Sequence, residues 1–248
     1  MIQFNFHSRV AVVTGSGKGI GKSIAFKLLT FGGTVVFLTR SIDLNLIKES
    51  QQISDKAHFI ECDVSNFDSV EKSFSEILNR LGRIDILVNN ASVANSQSID
   101  QLSLEDWDWV MKNNITSMFL CSKFAVSIMK SQKYGKIINI SSIAGRDKSM
   151  MLGIAYTTSK AASIGFTKHL ASEVAKYGIN VNVVCPGPTD TPMLRSLLTP
   201  EIESSLINKI PLGYIQTPDQ VANVVLFLAS DESNYMTGSV VDINGGLL

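Results

Sequence analysis

The chain has 248 residues, 45% of them hydrophobic and 18% charged, and its 22 basic and 22 acidic side chains cancel. That length and composition suffice for one sizeable core, and the balance leaves no net field to recruit nucleic acid or an anionic membrane. Cys62, Cys121 and Cys185 are odd in number, widely spaced and without a histidine at ligand spacing, which argues against a disulfide framework and a bound metal.

From Met1 to Arg9 the chain lacks the basic stretch followed by a long apolar run that a secretory signal needs. The longest apolar runs, such as 224–229, are too short to span a bilayer. A cytoplasmic protein is expected. Residues 9–14 then read as a buried strand, followed by Gly15-Ser16-Gly17-Lys18-Gly19-Ile20-Gly21 and an amphipathic run from Lys22 to Phe31. A strand, a glycine turn and a helix start form a cradle for a dinucleotide. Glycine lets the backbone take positive φ and lets a pyrophosphate approach, while free N–H groups and the dipole at the helix start favour its charge. A glycine-rich turn with no ligand is the plainer alternative.

Further strands are expected near 33–38, 57–61, 84–88, 136–141, 179–184 and 239–243. Helices are expected near 19–31, 43–53, 67–81, 104–131, 155–177 and 218–230. Such alternation implies βαβ crossovers and a parallel sheet covered on both faces. The fold class expected is therefore α/β, a doubly wound Rossmann fold of seven parallel strands, with residues 1–248 forming one dinucleotide-binding catalytic domain. Prolines bracket 188–217, which reads as a loop with a small helix. Its apolar residues Met193, Leu194, Leu197, Leu198, Ile202, Leu206 and Ile207 recur at helical spacing; they either line an apolar substrate or pack on the sheet.

Tyr156 and Lys160 stand four apart on an expected helix and share one face. An ammonium about 4 Å from a phenolate, at an effective dielectric near 20, contributes about 4 kcal/mol. That is enough to bring a phenol of pKa about 10 toward neutrality, where it can trade protons. A surface tyrosine beside a solvated lysine is the competing reading of the pair alone.

The pair does not stand alone. Thr14 to Gly21, Asp63-Val64, Asn89-Asn90-Ala91-Ser92, Asn114, Ser141-Ser142, Tyr156 to Lys160, and Pro186-Gly187 through Thr189 to Thr191 occur in order. In these motifs, over nearly its whole length, the chain resembles the short-chain dehydrogenase/reductase family in its compact single-domain branch, which includes 3-oxoacyl-carrier-protein reductases. The resemblance implies that Tyr156 is the general acid in carbonyl reduction, that Lys160 lowers its pKa and holds the nicotinamide ribose, and that Ser142 bonds the substrate oxygen. It implies that Asn114, with Asn113 as competitor, sits in a locally broken helix and holds a water linking Lys160 to solvent. It assigns cofactor contacts to Gly15–Gly21, Thr39, Arg40, Asp63, Val64, Asn90, Ala91, Tyr156, Lys160, Pro186, Gly187, Thr189 and Thr191, and a homotetramer built partly on the helices near 104–131 and 155–177. Ser92 departs from the family's glycine; it either tightens the ribose pocket or is neutral at a residue of negative φ.

At the end of the second strand Thr39 stands where NAD-preferring relatives carry aspartate, and Arg40 and Lys18 offer cations to a 2′-phosphate. NADP(H) is therefore expected over NAD(H), the missing acid carrying most of that inference. The substrate expected is a carbonyl or secondary alcohol, with an acyl thioester first among the specific choices. Relatives acting on a carrier protein place basic residues at the site entrance, and here only Lys133 of that pair is present, Tyr177 preceding Gly178. The alternatives are a catalytically silent nucleotide-binding regulator of the same fold and an NAD(H)-dependent sugar or small-ketone dehydrogenase.

Overall fold

The computed structural model describes residues 4–248, so Met1–Gln3 of the leader reading lie outside the described residues. Seven strands form one sheet: β1 Val10–Thr14, β2 Thr34–Thr39, β3 Ala57–Glu61, β4 Ile86–Asn89, β5 Gly135–Ile140, β6 Ile179–Pro186 and β7 Val240–Ile243. Every pairing is parallel and the order is β3-β2-β1-β4-β5-β6-β7. Parallel strands need crossovers, and helices supply them: α1 Gly19–Thr30, α2 Leu44–Gln51, α3 Phe67–Leu81, α4 Leu104–Met111, α5 Ser117–Gln132, α6 Ile154–Val174, α7 Pro192–Arg195, α8 Pro200–Lys209 and α9 Pro218–Ala229. The doubly wound expectation holds.

Alternating side chains of each strand feed two cores. Ala11, Val13, Val35 and Phe37 pack with Ile24, Leu28, Val225 and Leu226 of α1 and α9. Val12, Val36, Leu87 and Ile137 pack on the other face with Phe74, Ile77, Ala125, Met129 and Val174 of α3, α5 and α6. The strands are apolar on both faces because both are covered.

The sheet's two ends differ in chemistry. At the N-terminal end, fully buried Asp85 accepts from Val10 N (2.8 Å) and twice from the Arg83 guanidinium (2.6 and 2.9 Å), with Arg9 at 3.7 Å. At the C-terminal end the strand order reverses between β1 and β4, which opens a crevice where ligands of such sheets bind.

Two expected elements change form. The long helix of 104–131 is α4 and α5 joined by a π-helical turn at Lys112–Thr116. The segment expected to hold one small helix holds two, α7 and α8. Each of these, like α9, opens on Thr-Pro, with the threonine capping and proline at the first position, where its missing N–H and fixed φ are no cost.

Candidate active site

The first half of the crevice forms where β1 ends. Thr14 Oγ1 accepts from Asn90 N and Ala91 N (both 3.0 Å), and Asn90 Nδ2 donates back to Thr14 O (3.0 Å) and Gly15 O (3.2 Å). The turn is thereby tied to the end of β4. Gly15 has φ +63°, and a Cβ there would lie 2.9 Å from Ala91 Cα; a Cβ on Gly21 would meet Gly15 O at 2.5 Å. Both positions demand glycine.

Helices α2, α3, α4, α7, α8 and α9 each carry a side-chain cap. Helix α1 has none at Lys18 and no acid in its first turn, and the buried Ser16 Oγ beside it has no partner. Free helix-start N–H groups and an orphaned hydroxyl suit an anion with several acceptor oxygens. The residues present thus fit the pyrophosphate of a dinucleotide.

Around this cradle, Thr39 Oγ1 lies 3.2 Å from where a Gly17 Cβ would be and donates to Ser41 O (3.3 Å). Arg40 and Lys18 are exposed and form no ion pair among the described residues. Asp63 accepts from Ser65 N (3.0 Å) and Ser65 Oγ (2.8 Å). Against the upward push of burial, these bonds and the Arg40 and Lys112 charges hold its carboxyl below the usual value. Val64 is buried next to it. Ser92 is not among the residues of positive φ, so its side chain costs the backbone nothing.

The second half lies past the ends of β5 and β6. Ser142 and Tyr156 line one cleft with Ile20, Pro186, Gly187, Thr189 and Thr191. The Ser-Ser pair divides its work: Ser141 Oγ donates to Lys160 O (2.8 Å), while Ser142 Oγ accepts from Ala144 N (3.1 Å) and opens the one-turn 3₁₀ segment Ile143–Gly145. That turn packs tightly on α6, where a Cβ on Gly145 would meet Lys160 O at 2.6 Å. The family resemblance pointed to Ser142 rather than Ser141; the structure shows Ser141 engaged in holding α6.

Tyr156 is 8% exposed and Lys160 4%. Lys160 Nζ donates to Ile140 O (3.0 Å) and lies 5.5 Å from the Tyr156 ring centroid. Burial pushes the Tyr156 phenol up, opposed by a hydrogen bond from Ser142, and burial brings the Lys160 ammonium down to about 8. The lowering of the phenol expected from Lys160 is therefore not the governing influence in this geometry; desolvation is.

Asn114, 3% exposed, sits in the π-helical turn. Its Oδ1 accepts from Val93 N (2.8 Å), and its Nδ2 donates to Val93 O (2.9 Å) and Ser159 Oγ (2.9 Å). Both amide hydrogens are engaged, so the side chain has only a second Oδ1 lone pair left for a water. The rival Asn113 bonds back to Trp109 O (2.8 Å) within its own helix.

The wall opposite Tyr156 comes from two segments. The 188–217 segment contributes Pro188, Met193, Leu194, Leu197 and Leu206, and the loop before α6 contributes Met150, Met151 and Leu152. Sequence reading missed that loop, although an apolar Met-Met-Leu run just ahead of Tyr156 was its signal. Gln216 staples the base of the 188–217 segment: its Nε2 donates to Gly187 O (3.2 Å), Thr189 Oγ1 (3.1 Å) and Ile243 O (3.0 Å), and Asp190 N donates to its carbonyl (2.9 Å).

Lys133 is placed otherwise than expected. It caps α5 just before β5 starts, and Tyr177 precedes β6, so both lie at the N-terminal end of the sheet, away from the cleft of their own chain. The helix residues proposed for subunit contact also separate. Ile164 is buried, Phe124 packs on Phe67 and Phe74, and Leu170 packs against the second core. Phe166 is half-buried and Phe119 is exposed.

No helix among the described residues is long and apolar enough to cross a membrane. A family model described as enoyl-(acyl carrier protein) reductase matches residues 15–248. A 3-oxoacyl-(acyl-carrier-protein) reductase FabG from Aquifex aeolicus is 39% identical, over 99% of this chain and 100% of its own. An acetoacetyl-CoA reductase from Shinella zoogloeoides is 36% identical, over 96% and 98%. Among solved structures, a short-chain type dehydrogenase/reductase from Mycobacterium marinum superposes with a TM-score of 0.94 at 33% identity, covering 99% of this chain and 97% of that one. A putative gluconate dehydrogenase from Agrobacterium tumefaciens gives 0.92 at 28%, covering 100% and 98%. The fold, the glycine cradle and these relatives together make the chain a member of the short-chain dehydrogenase/reductase family, the NAD(P)-dependent oxidoreductases.

Proposed function

We propose that the protein reduces the keto group of a 3-oxoacyl thioester with NADPH. The observation that carries this reading is one cleft whose hydroxyls, on Ser142, Tyr156, Ser149, Thr189 and Thr191, are outnumbered by the hydrocarbon and thioether side chains that line it with them. A polyol would find few partners on Ile143, Met150, Met151, Leu152, Met193, Leu194 and Leu197; an acyl chain would lose none.

The cofactor supplies the hydride when bound. Its pyrophosphate is assigned to Gly15, Ser16, Gly17, Lys18, Gly19, Ile20 and Gly21, its adenosine to Thr39, Arg40, Asp63 and Val64, and its nicotinamide end to Asn90, Ala91, Tyr156, Lys160, Pro186, Gly187, Thr189 and Thr191. Ser142 and Tyr156 hydrogen-bond the substrate carbonyl, and their donors are worth most as negative charge grows on that oxygen. The Tyr156 hydroxyl then gives its proton to the oxygen, leaving a secondary alcohol, and Lys160 stabilises the phenolate left behind. Asn114 positions this machinery through Ser159, one residue from Lys160.

The direct test is consumption of NADPH in the presence of an acetoacetyl thioester by the purified protein. Absence of turnover with acyl thioesters, alongside turnover of a sugar, refutes the substrate class. For the cofactor, the absence of a carboxylate at Thr39 and the presence of Arg40 and Lys18 support NADPH. Thr39→Asp is expected to reverse the preference, lowering kcat/KM for NADPH at least about tenfold, a loss of about 1.4 kcal/mol, while improving that for NADH. A wild-type protein that favours NADH would overturn the assignment. A homotetramer is proposed from family resemblance and the exposed Phe119; light scattering tests it.

A further inference from the structure

A second cavity adjoins the catalytic cleft, and three residues, Met150, Met151 and Leu206, line both. Its outer wall is the exposed side of α8, with Glu201, Ile202, Ser205 and Lys209. The geometry points to this cavity as the seat of the distal acyl chain, so that thioesters of medium length are reduced in preference to acetoacetyl ones. The inference rests on the thioester reading above.

The three shared side chains are what a chain spanning both cavities would meet. All three shared side chains are apolar, so an amide-bearing arm threaded between them would find no hydrogen-bond partner there, whereas methylenes lose nothing. Two of the three are methionines, whose unbranched thioethers change rotamer easily and so can open or fill the passage as a chain requires. Met150 is 45% exposed and Ile202 41%; a hydrocarbon lying between them would cover apolar surface that the protein itself leaves uncovered. At the rim the charges oppose one another, Glu201 against Lys209. That arrangement offers no concentrated positive site for the phosphates of a coenzyme and suits the place where an alkyl tail reaches water.

Burying a methylene favours binding about fourfold, so several methylenes give an advantage that steady-state kinetics reads directly. The experiment compares kcat/KM for acetoacetyl and 3-oxooctanoyl thioesters of one carrier group in the wild type, Ser205→Trp and Ser205→Ala. Ser205 is exposed and borders only the outer cavity. The wild type and Ser205→Ala are expected to favour the longer substrate at least tenfold, and Ser205→Trp to lose most of that advantage while turning over the acetoacetyl thioester within about twofold of wild type. Equal kcat/KM for the two lengths in the wild type, or equal losses on both in Ser205→Trp, overturns the acyl seat alone. No turnover of either thioester overturns the reductase reading and this inference with it.

Discussion

Replacing Tyr156 by phenylalanine is expected to lower turnover at least about 100-fold while leaving NADPH affinity within a few-fold of wild type. A positioned general acid contributes 10²–10⁴ in rate, and the substitution removes one hydroxyl from a ring that is otherwise packed. The ring lies in a buried helix turn whose position is fixed by Ser159 Oγ donating to Tyr156 O (2.7 Å) and by Gly145 against Lys160. None of those contacts uses the phenol. The measurement is kcat together with the dissociation constant of NADPH from fluorescence titration. Retained turnover would remove Tyr156 from the proton path, and a parallel loss of cofactor binding would make its role positional. In the wild type, kcat/KM for reduction is expected to decline as pH rises past about 8, where the buried Lys160 loses its charge. A profile flat well above that pH would place the titration elsewhere.

The second large effect lies at the other end of the sheet. Asp85→Ala is expected to destabilise the protein by about 3 kcal/mol, the lower end of the cost of breaking a buried ionic network. Arg83 and Arg9 keep part of their surface in water, so the cations are not stranded. The buried Val10 N–H is stranded, because Asp85 is its acceptor. Urea unfolding at one protein concentration reads this as a lowered midpoint at unchanged slope. Asp85→Asn, which retains an acceptor oxygen for Val10, is expected to lose less. Equal stability for Asp85→Ala and the wild type would show that the network contributes nothing net.

Most of the sheet was legible because its strands are short apolar runs, rich in Val and Ile, that alternate with longer helical segments, and length separates the two where periodicity does not. The π-helical turn was not legible as geometry. It inserts backbone without breaking the run of side chains around it, so 104–131 reads as one helix, and only the family pattern marked Asn114. Between Asn113 and Asn114 no period decides, since the inserted turn itself determines which amide faces Ser159. Helices α7 and α8 were legible in principle: Thr191-Pro192 and Thr199-Pro200 repeat the cap of Thr217-Pro218, whose helix was expected. Lys133 shows the converse. Its distance in sequence from Tyr156 says nothing about which end of a strand it occupies, and it falls at the far end. The balance of pKa effects on Tyr156 also lay beyond the sequence, because spacing gives the neighbour's charge but not the depth at which both groups are buried.

The Gln216 staple ties both feet of the 188–217 segment to the ends of β6 and β7, next to the end of β5 that leads into Ser142. The side-chain hydrogen bonds that fix Ser142 and the turn of Tyr156 run to Ala144 and Ser159, outside the stretch from Met193 to Lys209. What the cleft accepts is thus written in two stretches of chain, this one and Met150–Leu152, both apart from the residues assigned to the chemistry.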